Sequence, residues 1–550
     1  MSNSTSRRPN QAVAGQTVTS LRQLILHGLL FILLMILGSG LSILFSMLLR
    51  GFVPAYSGST ELAVGMSFTL IAGPLTWLLW RTVRKNVVQA SAVDSAIWSL
   101  QAAAVYVVAL AMFSTSFLRL FAELIHPSHA TGWQSLLGAG LGWGLVFVWQ
   151  YRLIKSPKYA PTELPSLAPA LGSAYALVLG GISAILLVQR AVSELISPQE
   201  TLLGASTDLP QLLTAAIWAI GAVIIWWWHW TVEHVRSMVD DFTDFIYVII
   251  GISVPALISL LCAAGLLSML VPIPISSGIW AEDFTTDSPL LIAGLLVGLL
   301  VWIYHQAKLT TRGIWASEVS RQIVSGVALA IGASGLGMVI NALLAALSVP
   351  FSGDSSVPVL RAGIGLLVVG ALAWVLFFRP LAPAKPASRR VYLVMFFGCS
   401  ALVALVSLLV VGYRIFEFLL VTTGSGSLLD MIRAPFGWLV ATVVVATYHY
   451  FLWRSDRQLL ATETSDDPPA AAAPPRSLMI VAPHGSDYLL EGLRQLKHVQ
   501  LHWVPSAGTA PAQEDLHELL AEVSTRISAE ASGLLVNVDS SGKAQFVSLA

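Results

Sequence analysis

Residues 224–234 read I-I-W-W-W-H-W-T-V-E-H. Imidazole and carboxylate are the donor types that hold zinc and other transition metals. His229 and Glu233 stand four apart and would share a helix face, whereas His234 turns away. A haem would need histidines as axial ligands in mid-span, and the apolar stretches offer no such pair. The other groups that could do chemistry are paired charges. Arg119…Glu123 and Arg190…Glu194 are spaced i, i+4, and Arg414…Glu417 is spaced i, i+3. Arg before Glu is the weaker order on a helix, and Glu near a C-terminus opposes the dipole. Local helix energetics therefore do not explain these glutamates. They form either an outer ring of charge that binds or admits a polar solute, or interfacial pairs between helices. Asn341 is a polar residue in an otherwise dry span centre, beside G-A-S-G-L-G (332–337). With the Arg/Glu pairs it completes the candidate binding set. Asp240, Asp241 and Asp244 sit at a span edge, where solvation accounts for them. A nucleophile–base pair, a paired-carboxylate site and a Walker-type loop are all missing, so no enzyme, cofactor or metal site is expected.

The elements that must position these groups are membrane helices. Of 550 residues, 56% are hydrophobic and 11% charged, with a mean hydropathy of +0.75. Soluble domains carry about 25% charge, so lipid is the expected solvent and partner. Net charge is zero, which gives no case for nucleic-acid binding. Cys262 and Cys399 lie within apolar runs and offer no disulfide framework. Spans are expected near 23–49, 62–80, 95–125, 133–151, 168–195, 210–230, 245–273, 288–305, 322–348, 360–378, 391–421 and 434–453. Each is near the 20 residues or so that cross a bilayer. The connections on one side carry nineteen Lys and Arg. The other side carries six, namely Arg50, Arg119, Arg190, Arg361, Arg414 and Arg433. The basic side is expected to be cytoplasmic, with both termini on it, in the cell membrane.

At the basic end of every even span an aromatic residue precedes a polar or basic one. The steps are Trp80-Arg81, Trp149-Gln150, Trp228-His229, Tyr304-His305, Phe378-Arg379 and Tyr448-His449. Their spacings of 69, 79, 76, 74 and 70 residues indicate six repeated helical hairpins. A metal ligand would not alternate with Arg and Gln. The step is read instead as an interfacial anchor, with the ring at headgroup level and the basic group at the helix C-terminus. Gly138 and Gly142, Gly140 and Gly144, and Gly294 and Gly298 stand four apart, the spacing that lets helices approach closely in lipid. Pro74 and Pro255 fall inside spans.

After a tail over 1–22 and a transmembrane domain over 23–455, residues 456–476 form a Pro/Ala-rich linker. Residues 477–550 read as a small cytoplasmic α/β domain. Its strands are expected at 477–482, 501–504, 534–539 and 545–549, with helices at 488–497 and 514–527. The loop P-H-G-S-D (483–487) precedes a helix but lacks a full phosphate motif.

The steps W-W-W-H-W, W-I-Y-H-Q and T-Y-H-Y closing even spans resemble a bacterial membrane family, domain of unknown function 5671, over about residues 20–455. That resemblance implies a repeated multi-span fold and supplies no activity. The whole is expected to be an all-α polytopic membrane protein with a small α/β appendage. Its expected role is a permease-like carrier of a small solute or lipid. The alternative is a non-transporting scaffold or sensor acting through a protein partner of residues 477–550.

Overall fold

The structure, a computed structural model, describes residues 9–51, 58–88, 92–125, 132–196, 209–271, 280–309, 312, 314–348, 356–378, 386–420 and 427–465. In the tail it describes 476–483, 491, 493, 499–506, 522–523, 525–526, 533–538 and 544–549. An apolar chain must satisfy its own backbone, and long helices do this within one segment. The helices are α1 Pro9–Leu49, α2 Gly58–Val88, α3 Ala92–Ile125, α4 Trp133–Lys155, α5 Leu167–Ile196 and α6 Leu209–Val232. They continue with α7 Asp241–Leu270, α8 Trp280–Lys308, α9 Ile314–Ser348, α10 Ser356–Phe377, α11 Pro386–Leu420 and α12 Leu428–Ser465. Among them, 11 are long and apolar enough to cross a membrane. The remaining one, α4, covers the span expected at 133–151. Its glycines and tryptophans, with Gln150 and Arg152, dilute its hydropathy.

Two boundaries differ from expectation. Helix α1 begins at Pro9, inside the stretch read as a tail, and proline suits a first helical turn. Helix α12 continues to Ser465, into the stretch read as linker, because R-S-D-R-Q-L-L-A is rich in good helix formers.

Helices α1 and α2, α3 and α4, α5 and α6, α7 and α8, and α9 and α10 pack as neighbours. In α11 and α12, Tyr392 and Phe396 meet the ring of His449. A second set of contacts joins α1 to α4, α3 to α6, α5 to α8 and α7 to α10. Glycines make these approaches possible. A Cβ on Gly138 would meet Ser46 of α1, and one on Gly142 would meet Ser42. Gly140 and Gly144 face the other way, against Phe117 and Phe113 of α3. Gly294 and Gly298 lie against Cys262 and Ser259 of α7. Thus α4 uses its two interleaved glycine pairs on two different neighbours. Large apolar side chains line the outer faces, such as Leu70 at 63% exposure and Leu300 at 71%. Water does not tolerate such a surface, and acyl chains do.

Pro74 leaves α2 continuous, whereas Pro255 follows a π-helical stretch, Tyr247–Ser253, within α7. Proline lacks the N–H of a regular turn, and a widened turn accommodates the loss.

The chain divides after Leu452 into a helical unit and a C-terminal unit. In the latter, strands β1 Arg476–Pro483, β2 Val499–Ser506, β3 Gly533–Val538 and β4 Ala544–Leu549 form one sheet in the order β2-β1-β3-β4. Strand β1 runs parallel to β2 and β3, and β4 is antiparallel to β3. Leu478, Ile480, Leu534, Val536 and Val538 close its core with Leu493 and Val523. The two expected helices are described only at 491, 493, 522–523 and 525–526, and most of the loop 483–487 lies outside the described residues.

Candidate functional site

The tryptophan-rich stretch is where α6 loses its regular geometry. The helix passes at Trp228–Val232 into a π turn, in which Glu233 N–H donates to Trp228 O at 3.0 Å. His234 then adopts a left-handed conformation, φ 60°, which is uncommon outside glycine. A short 3₁₀ turn, Val235–Ser237, leads to Asp240, the N-cap of α7. The four tryptophans divide by face. Trp227 and Trp228 point outward, at 54% and 41% exposure. Trp226 and Trp230 stack with centroids 5.5 Å apart, Trp230 stacks in turn on Tyr247, and its indole N–H donates to Tyr304 Oη at 2.8 Å.

His229 and Glu233, near the two ends of the π turn, take different hydrogen-bond partners. The His229 ring is buried against Gly172, where a Cβ would overlap the imidazole. Its Nδ1 lies 2.7 Å from Ile225 O, so that nitrogen carries the proton. Nε2 then accepts from the Tyr106 hydroxyl at 2.8 Å. His305 and His449 repeat the first bond, on Val301 O and Val445 O, each at 2.8 Å. Both are buried, and His305 lies over Gly251 as His229 lies over Gly172. Gln150 is buried too and donates to Ala102 O.

The polar members of the even-helix steps therefore face inward in these four helices, while Trp228, Tyr304 and Tyr448 are exposed. Trp80 packs on Trp98 and Trp149, and Arg81 lies exposed over Trp77. Phe378 stacks on Trp374, and Arg379 lies outside the described residues.

Glu233 is directed elsewhere. Its side chain is 3% exposed, accepts from Tyr151 Oη at 2.9 Å and forms an ion pair with Lys155. These groups, with Tyr106, line a cavity of about 190 Å³ walled by Pro161, Pro165 and Pro169. One water needs only about 10–15 Å³ on this measure. A second ion pair lies behind the 3₁₀ turn. Arg312 Nη1 donates to Asp244 Oδ1 at 2.7 Å and Nη2 to Val235 O at 2.9 Å, while its guanidinium lies 4.2 Å from the centroid of Tyr247. Both side chains are buried, at 1% and 9% exposure. The solvated reading of Asp244 is thereby corrected: a buried arginine neutralises it. Only Asp241 of the three aspartates is exposed.

Asp240 accepts from Thr243 N–H at 3.0 Å and from the Thr243 hydroxyl at 2.7 Å. Burial pushes its carboxyl pKa up, but the donors Thr243, Ser166 and Phe242 outweigh that and hold it below the usual value. A depressed pKa stabilises the fold above the unfolded value of about 3.9, and the gain is lost as pH falls through the folded value. Protection of the Thr243 amide from hydrogen exchange, taken relative to an unstructured amide at the same pH, is expected to be high at pH 7 and to fall as pH drops below about 4. Asp240→Asn should flatten that dependence.

Among the described hydrogen bonds and ion pairs, none joins one of the candidate pairs taken from the sequence to another. Arg414 pairs with Glu417 at 2.8 Å. Arg190 bonds Gln211 of α6, and no described ion pair joins Arg119 to Glu123 or Arg190 to Glu194. Asn341 lies near the Gly337–Gly437 contact of α9 and α12, and its Oδ1 is buried without a hydrogen-bond partner. Sequence reasoning missed Tyr106, Tyr151 and the pairing partners Lys155 and Arg312. The only local signal was H-x-x-x-E at 229–233. Among the described residues no group of three or more His, Cys, Asp or Glu could hold a metal ion.

The family model for domain of unknown function 5671 matches residues 318–447, within helices α9 to α12 and short of the expected 20–455. No curated protein and no solved structure matches the chain.

Proposed function

We propose that this chain, whose residues 318–447 carry the unknown-function domain, is a non-transporting membrane scaffold or sensor. In this reading its helices span the bilayer as six repeated hairpins, α4 included. The basic end and both termini face the cytoplasm, and the C-terminal sheet contacts a protein partner. The observation that supports it is backbone contact within the helical unit. A Cβ on Gly335 would lie 2.7 Å from Gly363 O, and one on Gly370 would lie 2.6 Å from Gly332 Cα. Helices locked at such distances do not slide readily, whereas a carrier must rearrange around its site. The sheet adds an edge strand, β2, with Trp503 and Val504 exposed. Edges of this kind accept a further strand.

Native Cys262, packed on Gly294, is the probe. In a Cys399→Ser background a membrane-impermeant thiol reagent is expected to leave Cys262 unmodified while it labels Ala160→Cys in the basic-end cavity. Labelling of Cys262 from water at a comparable rate would reveal an aqueous path and return the reading to a permease.

A further inference from the structure

We infer that the cavity beside Glu233 binds a small organic ammonium ion, with Lys155 as its built-in stand-in; the inference deepens the sensor reading by naming its ligand. The Lys155 ammonium already shows what the site accepts. It pairs with the Glu233 carboxylate and lies 5.8 Å from the centroid of the Tyr151 ring. Carboxylate plus aromatic face is the recognition set for alkylated ammonium ions.

The two charges are not equally fixed. Glu233 is 3% exposed, sits on the π-turn exit of α6 and is held by the Tyr151 hydroxyl. Leaving it unpaired is costly. Lys155 ends α4 on a flexible arm that is 48% exposed, so its ammonium can move into water at small cost. A ligand ammonium can therefore take its place while Glu233 stays neutralised.

The remaining walls set the class. Apart from Glu233 and Lys155, the lining is two phenols, Tyr106 and Tyr151, and apolar residues such as Ile154 and Pro165. Among the described residues no second carboxylate lines the cavity to hold the far end of a polyamine, and the Tyr151 hydroxyl already takes one of the two Glu233 oxygens that a guanidinium fork would use. Methylated or short-chain monoammonium ions fit the apolar wall. An anion would pair with Lys155 only by standing against the buried carboxylate.

The test uses the full-length protein in detergent or nanodiscs, titrated calorimetrically with choline, tetramethylammonium and acetate. Choline and tetramethylammonium are expected to bind saturably at one site, and acetate is not. Lys155→Ala removes the stand-in and should tighten choline binding several-fold. Glu233→Gln should weaken it at least tenfold. Because Glu233→Gln can also disturb folding, the Lys155→Ala gain is the deciding result, since a purely structural ion pair would give no gain. Absence of saturable ammonium binding to both wild type and Lys155→Ala overturns the inference. Acetate binding that Lys155→Ala abolishes overturns it too, by making the site anionic in preference. The scaffold reading fails separately, if choline makes Cys262 reactive from water.

Discussion

Arg312→Ala is expected to destabilise the helical unit by about 3–5 kcal/mol, the range for breaking one side of a buried ion pair. The loss is large because Asp244, 9% exposed, would be left with no counter-charge from Arg312, and the Val235 carbonyl would keep only the Met238 N–H of its two donors. Removing both charges is a different experiment. Arg312→Met with Asp244→Leu should recover most of the stability, since apolar replacement of a whole buried pair is often neutral or stabilising. Arg312→Lys should not, because one ammonium cannot serve the carboxylate, the carbonyl and the Tyr247 face together. Unfolding midpoints in a denaturing-detergent titration would give the ranking. An Arg312→Ala protein within about 1 kcal/mol of wild type would mean that water reaches Asp244.

The second large effect is steric. Gly335→Leu places a side chain where the Leu367 amide of α10 already stands, with Gly363 O at 2.7 Å. Backbone atoms cannot rotate away as a side-chain tip can, so the helices must part. Overpacking typically costs about 1–3 kcal/mol, and a backbone obstacle puts this case at or above the upper end. The control is Gly398→Leu on α11, where an added Cβ meets nothing within 4 Å. The expected result is loss of folded Gly335→Leu protein beside near-normal Gly398→Leu protein, read by size-exclusion chromatography after extraction. Equal yields would show that α9 and α10 are not held at the distance described.

What could be read from the sequence followed from one-dimensional physics. Apolar run length placed the helices, because the requirement to satisfy backbone groups in lipid is local. Gly138, Gly142, Gly294 and Gly298 announced helix contacts by their spacing, though not their partners Ser46, Ser42, Cys262 and Ser259. The four strands of the tail were visible as short apolar runs, while the central place of β1 depended on pairings across the chain. The cavity was not legible. Glu233 and Lys155 are 78 positions apart and Arg312 and Asp244 are 68 apart. Each looked like an ordinary charge at a span end. Helical spacing read His229 and Glu233 as a pair, whereas they bond different partners: His229 the Tyr106 hydroxyl, and Glu233 Tyr151 and Lys155.

The π stretches of α6 and α7 have a consequence for phase. A regular helix turns about 100° per residue, and each π turn absorbs about one additional residue without lengthening the run of contacts that follows. Deleting one residue within Tyr247–Ser253 would let the helix close regularly with the parts before and after it still in phase, whereas deleting one from the regular turn at 254–258 would turn those parts by about 100° against each other. In the second case Asp244 and Tyr247 would swing off Arg312, or else Ser259 would swing off Gly298. The π stretch thus holds slack in length that the regular turns of α7 beside it lack.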